Sequence, residues 1–241
     1  MQSRRGVKNM QFFTEIKRSF EIIVSDRFWL VKLLFAAVLL INPLLLVSAL
    51  NGDRLLLCWT AGLNLLTFWL PLGYTMEVLR RARNDTIANL GLPSWDLKHW
   101  GAYVREGAVK FFIAIFTLIL PSGAWIAACG LVFNALGRPA LTGMAAPFVF
   151  FFTIPICAVG CCRWLDSGDL MSAALDYRVN FDYYRLRWSE YSIAMLILMG
   201  LSTLGNSFIL TLPFITIFSL CVVDTWFGPI YADSAKEVAE I

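Results

Sequence analysis

Asp224 is the one carboxylate set inside an apolar segment, in the run SLCVVDTWFGP. A charged carboxylate in hydrocarbon costs several kcal/mol unless it is paired, protonated or hydrated, so an intramembrane acid is a functional candidate by default. Two readings follow. Asp224 lies on a pathway for a solute, an ion or a proton, or it lies near enough to the membrane boundary to meet water or a terminal arginine such as Arg163.

The other residues with chemical potential are sparse. His99 is the only histidine and sits in the most polar run of the chain, RRARNDTIANLGLPSWDLKHW. Catalysis by one histidine needs a carboxylate or nucleophile beside it, and Asp96 is the only close acid. Trp95, His99 and Trp100 instead read as an interfacial aromatic cluster, with Tyr103 on the same helical face. The six cysteines (Cys58, Cys129, Cys157, Cys161, Cys162, Cys221) all lie in apolar segments and read as small buried hydrophobes. Cys157 and Cys161 share a helical face, but a thiolate metal site needs further ligands, and no apolar run holds a histidine. Phosphate loops, zinc-protease pairs, serine-hydrolase elbows and paired-cysteine motifs do not occur. The sequence therefore implies no catalytic residue, no metal ligand and no cofactor, and points away from an enzyme.

Composition says where these residues must sit. Of 241 residues, 59% are hydrophobic and 15% charged, against about 25% charged in soluble domains. The apolar residues fall in blocks of about 20, the length a helix needs to cross a bilayer. The predicted fold is an all-α polytopic membrane bundle. A net charge of +3 is too small and too scattered for nucleic acid. The first long apolar run begins only at Trp29, so the start of the chain does not read as a cleavable signal.

Six spans are predicted, at about 29–50, 55–77, 109–136, 143–164, 186–204 and 207–231, with a turn at Gly205-Asn206 dividing the last two. Three segments result: an amphipathic arm over 1–28, a membrane domain over 29–231 and a polar tail over 232–241. Eighteen of the 20 lysines and arginines lie in the N-terminal stretch through Lys32, in connectors at about 77–110 and 163–190, or in the tail. Positive charge marks the cytoplasmic side. Both termini and both connectors are thus predicted to be cytoplasmic, in a multi-pass protein of the cell (inner) membrane. Trp29, Trp164 and Trp188 fall at that interface.

The connectors carry patterns of their own. In the second, Leu170, Ala174, Tyr177, Phe181, Tyr184, Trp188 and Tyr191 recur at helical spacing as one aromatic seam. Of these, Tyr177, Phe181, Tyr184 and Trp188 form a candidate docking surface. In the first, a helix starting at Pro93-Ser94 would line up Leu97, Trp100, Val104 and Phe111, with Lys98, Arg105 and Glu106 facing away. The arm repeats the design with Phe12, Phe13, Ile16, Phe20, Ile23 and Val24. All three are read either as helices in the headgroup layer or as a small cytoplasmic cap packed on itself.

Gly73-Tyr74, Arg80-Arg81, Leu92-Pro93 and Trp95-Asp96 resemble the domain-of-unknown-function 4013 family of bacterial and archaeal membrane proteins. The likeness is strongest over 72–121 and continues around Ser172-Ala173-Ala174. It implies a fold and no reaction, and the long N-terminal arm departs from it.

Three further features bear on packing. Pro43, Pro71, Pro121, Pro155, Pro213 and Pro229 lie in the apolar segments, where each removes a backbone hydrogen bond. Gly123, Ala124, Ala127 and Ala128 predict a close helix contact through small residues. Asn42, Asn64, Asn134 and Asn206 read as interhelical or turn hydrogen bonders. The functional expectation is a non-catalytic accessory or assembly subunit whose partners are membrane lipid and other membrane proteins or its own copies. The alternatives are a small transporter or channel with a site near Asp224, and a membrane-embedded enzyme. Single cysteines at Ser94 and Ser172, in a cysteine-free background, are expected to stay unlabelled by an impermeant thiol reagent in intact cells, while one at Gly52 labels. Labelling at Ser94 without lysis would reverse this topology.

Overall fold

The computed structural model describes residues 17–205 and 211–239, and these are all-helical with no strand. Residues 17–25 form α1, followed by α2 (Trp29–Leu40), α3 (Pro43–Asn51), α4 (Arg54–Thr67), α5 (Trp69–Arg83) and α6 (Ile87–Leu90). Next come α7 (Leu97–Ala114), a π-helical turn (Ile115–Ile119), α8 (Leu120–Ala135) and, after a 3-10 turn at Pro139–Leu141, α9 (Thr142–Ser167). The chain ends with α10 (Leu170–Leu175), α11 (Tyr177–Leu186), α12 (Trp188–Gly205) and α13 (Leu212–Ala239). Phe12, Phe13 and Ile16 of the arm and Asn206 of the expected turn lie outside the described residues.

Four stretches are long and apolar enough to cross a bilayer: Arg54–Arg83, Leu97–Ala135, Pro139–Ser167 and Leu212–Val238. A fifth is the pair α2 and α3, bent by 45°. The fifth expected span, 186–204, coincides with α12, which is not among them; its first turn carries Glu190. Where a polar tail is predicted from 232, α13 stays helical through Ala239.

Some of the prolines mark where helices begin: Pro43 is the first residue of α3 and Pro213 the second of α13. An N–H is unpaired at those positions anyway, so proline there costs little. Pro147, Pro155 and Pro229 lie inside helices, and Pro121 follows the π turn within a continuous helical stretch. The α2–α3 bend is satisfied from α4: the Asn42 N–H donates to Asn64 Oδ1 at 2.7 Å, and Asn64 Nδ2 donates to the Leu40 carbonyl at 3.0 Å. Ser48 and Thr60 add a hydroxyl pair at 3.1 Å. The two asparagines are interhelical bonders, as their placement implied.

The first connector differs from expectation. Its helix begins at Leu97 and runs without interruption into the next span, giving one 39-residue helical stretch, Leu97–Ala135, about 58 Å long at 1.5 Å per residue. Its buried face is Tyr103, Glu106, Gly107 and Ile113, while Leu97 is 77% exposed and Val104 is also exposed. Leu97 and Val104 of the apolar stripe thus point outward and Glu106 inward, while Trp100 and Phe111 are half-buried. Lipid is itself an apolar solvent, so hydrophobicity alone does not select the inner face.

Glycine selects it. A Cβ on Gly73 would lie 1.9 Å from the Tyr103 carbonyl oxygen, and one on Gly107 the same distance from that of Trp69. α5 and α7 therefore pack backbone against backbone. On its other side α5 meets α13, where a Cβ on Gly228 would stand 2.5 Å from the Arg83 nitrogen. The expected small-residue contact of α8 is not seen: Gly123, Ala124, Ala127 and Ala128 are exposed, and α8 meets α9 through Ser122, 3.1 Å from the Thr153 hydroxyl. Gly107→Ala should force the helices apart and cost about 1–3 kcal/mol, the usual penalty for overpacking. Gly101→Ala, on the open face of the same helix with nothing within 4 Å, should gain up to about 1 kcal/mol from helix propensity. Thermal unfolding in detergent reads both, and equal melting of Gly107→Ala and wild type would refute the close-packing account.

Candidate functional site

Asp224 is buried, and its partner is Lys110 rather than Arg163. Lys110 Nζ lies 3.0 Å from Asp224 Oδ2 and donates to Thr75 Oγ1 at 2.9 Å. The lysine stem starts on α7, passes Thr75 of α5 and reaches α13, so one side chain ties three helices. Cys157 and Cys161 of α9 are buried as well. The polar centre itself is built where α5, α7 and α13 meet. Two opposite charges held at this distance neutralise each other, which makes the centre a cross-brace; proton transfer within it would have to break that pair.

Arg163 is occupied elsewhere. Its guanidinium donates to Asn180 Oδ1 at 2.7 Å and Ser172 Oγ at 2.8 Å, fastening the end of α9 to α10 and α11. Three other arginines of the polar end are similarly spent. Arg80 bridges Glu77 and Glu106, the latter at 2.6 Å; Arg81 binds Glu77 and the Gly91 carbonyl; Arg83 pairs with Asp166, which also accepts from Tyr231.

The interfacial cluster is a clasp around the start of α2. Trp95 stacks on Tyr74 at 4.6 Å with planes 3° apart, and its Nε1 donates to the Lys32 carbonyl at 3.0 Å. Trp100 Nε1 donates to the Trp95 carbonyl, and the Tyr103 hydroxyl to that of Ser94. His99 is exposed and approaches Tyr103 with ring centroids 6.1 Å apart, so the histidine stands at the rim. Asp26 completes the clasp. Burial opposes its charge, but bonds from Lys32 and from the Phe28 and Leu92 N–H groups, with the Lys32 charge, outweigh that and hold its carboxyl below the usual range. Ser94 bonds Asp96 and, with Lys98 nearby, holds that exposed carboxyl low as well.

The second connector is broken where one helix was expected. Asp169 caps α10 by accepting from the Met171 and Ser172 N–H groups, and Asp176 caps α11 by accepting from that of Val179. Tyr184 turns inward, 4% exposed, against Tyr191; Phe181 is 48% and Trp188 61% exposed. Tyr177 is half-exposed, but its hydroxyl donates to the Phe116 carbonyl at 2.5 Å. That bond has a clear origin. In the π turn the Leu120 N–H reaches back five residues to Ile115, and the next residue, Pro121, has no N–H to give Phe116. Tyr177 supplies the missing donor.

A cleft of about 90 Å³ opens beside this end, lined by Arg18, Asp85, Glu190, Trp226, Pro229 and Asp233 among others. Its acids already face cations: Asp85 meets Arg18, Glu190 meets Arg187 and Asp233 meets Lys236.

Lys110→Met leaves the Asp224 carboxylate buried without its counter-charge and should cost about 3–5 kcal/mol, while Lys110→Met with Asp224→Leu should recover most of it. Melting of the detergent-purified variants tests this; a single variant as stable as wild type would show the pair to be no brace.

No curated protein and no solved structure matches this chain. The family model described as "Protein of unknown function (DUF4013)" matches residues 56–219, about two thirds of the chain, from α4 to the first third of α13. The matched stretch contains the Gly73–Gly107 contact, the Tyr74–Trp95 stack, Lys110 and the whole second connector, with Asp224 just beyond it. The chain belongs to the DUF4013 family of helical proteins, and it is a membrane protein.

Proposed function

We propose that this protein is a non-catalytic accessory or assembly subunit of the cell membrane, with both connectors cytoplasmic, that docks on lipid and on partner membrane proteins. The observation that carries the reading is the outer face of α10 and α11. Met171, Leu175 and Phe181 are exposed there, with Trp188 exposed just beyond at the start of α12, on helices whose inner faces are fastened by Arg163, Asn180 and Tyr177. A rigid exposed aromatic face loses little freedom on binding, and large aromatics carry a disproportionate share of interface energy. The polar side chains that chemistry would need are instead spent on internal braces.

The second reading, a small transporter or channel, rests on the Lys110–Asp224 pair alone. It requires a solute flux in proteoliposomes that Asp224→Asn removes; the docking reading requires none.

Phe181→Asp with Trp188→Asp places two charges on the docking face and leaves the buried Tyr184 untouched. Membrane insertion and protease resistance should stay at wild-type level, because the spans and the inner contacts are intact. A defined complex on native gels should be lost, since an unpaired charge in a desolvated face costs several kcal/mol. Retention of every copurifying band at wild-type stoichiometry would sink the accessory reading.

A further inference from the structure

The contacts of α11 change along its length in a way that sets its depth. At its start the Tyr177 hydroxyl reaches the Phe116 carbonyl, inside the apolar part of a spanning helix. Midway, Tyr183 stacks on Tyr231 of α13 at 5.3 Å. Just past its end, Arg187 pairs with Glu190 at 3.1 Å and with Glu237, near the polar end of α13. The helix therefore slopes from the hydrocarbon edge to the polar boundary, and its outer face crosses the layer where headgroups lie.

That face carries two free cations. Arg178 and Arg185 are exposed, seven residues apart and so on the same side of the helix, and among the described residues neither has an ion-pair partner. Of the other described arginines at this end, Arg18, Arg80, Arg81, Arg83, Arg163 and Arg187 have ion-pair partners. Asp182 is the single acid between them, leaving the face net positive. Phe181, Leu186 and Trp188 surround the charges and are themselves exposed. Aromatic rings and arginine stems flanking guanidinium groups suit a phosphate layer above acyl chains.

We propose that the outer face of α11 is a binding surface for anionic phospholipid, with Arg178 and Arg185 on the headgroup phosphates and Phe181 and Trp188 at the acyl boundary. It rests on the docking reading and names one occupant of that surface. A protein partner would instead have to answer two cations at a depth where lipid already supplies the anions. Because α11 is braced from behind, the guanidinium groups are held apart at a fixed spacing, and the preference for anionic over zwitterionic lipid comes from charge rather than from ordering of the helix.

The test uses the full chain, purified alone, in equimolar phosphatidylglycerol and phosphatidylcholine, with retained lipids counted by native mass spectrometry. Wild type should retain phosphatidylglycerol in preference, by roughly fivefold for each arginine engaged. Arg178→Gln with Arg185→Gln should bring the ratio close to parity at unchanged melting temperature. Lys98→Gln with Arg105→Gln removes two other exposed cations and should leave the preference intact. The proposal is overturned by a wild-type ratio near one, by a preference that survives in Arg178→Gln/Arg185→Gln, or by equal loss in the Lys98/Arg105 control. Loss of a partner band in the Phe181/Trp188 variant is a separate readout, so the accessory reading and the lipid surface can fail independently.

Discussion

Everything at the polar end depends on α5 lying backbone against backbone with α7. Gly73 and Gly107 leave no room for side chains between these helices, and Gly228 brings α13 almost as close on the other side. Helices in contact at this distance cannot bury their polar residues between themselves. Charged side chains must travel along the helix and meet beyond the contact. Arg80 does so toward Glu106, and Lys110 toward Asp224. In hydrocarbon there is little hydrophobic drive to bring helices together, so close van der Waals contact and paired polar groups have to do it. The two devices are complementary: glycine supplies the proximity that lets a lysine of α7 reach past α5 to an acid on α13.

The same logic explains why so polar a connector is needed. Arg81 on the Gly91 carbonyl, Lys32 and Leu92 on Asp26, and Trp95 on the Lys32 carbonyl close a ring from α2 through the connector to α5. The Tyr74–Trp95 stack sits inside it and is worth about 0.5–1.5 kcal/mol beyond its burial. The ring clamps the entry of the first apolar segment to the exit of the second. That is an architectural role for the arginines and tryptophans of RRARNDTIANLGLPSWDLKHW, and His99 at the rim contributes little to it.

Much of this was legible in the residues, and the failures share a cause. Apolar runs located four or five of the six expected spans, and Asn42 and Asn64 were legible as interhelical or turn hydrogen bonders, because both signals depend only on hydrocarbon being intolerant of bare polar groups. The inner face of α7 was not legible. In water the stripe Leu97, Trp100, Val104 and Phe111 would be buried, but lipid accepts it, and the informative residue was the glycine at 107. The partner of Asp224 was hidden by distance: Lys110 is 114 positions away in sequence, and nothing local marks it out from Arg163. In the second connector a spacing of four and three suggested one helix, yet Asp169 and Asp176 were cap residues, each placed two or three positions before the N–H groups that it accepts from.

Those caps bear on how the connector relates to the span beside it. Breaking the seam at Asp176 lets α11 turn independently of α10, so that Tyr177 can face the π turn while Asn180 faces Arg163. The π turn exists because Pro121 withholds an N–H, and it is stable because Tyr177 replaces the donor. An orphaned carbonyl in hydrocarbon would cost several kcal/mol. The connector is thus part of the hydrogen-bond accounting of the membrane helix, and cannot lift away without exposing that carbonyl. A helix fastened in this way keeps one orientation toward the spanning helix beside it, so the outward side of α11, with Arg178, Phe181 and Arg185, is held in a fixed place against that helix.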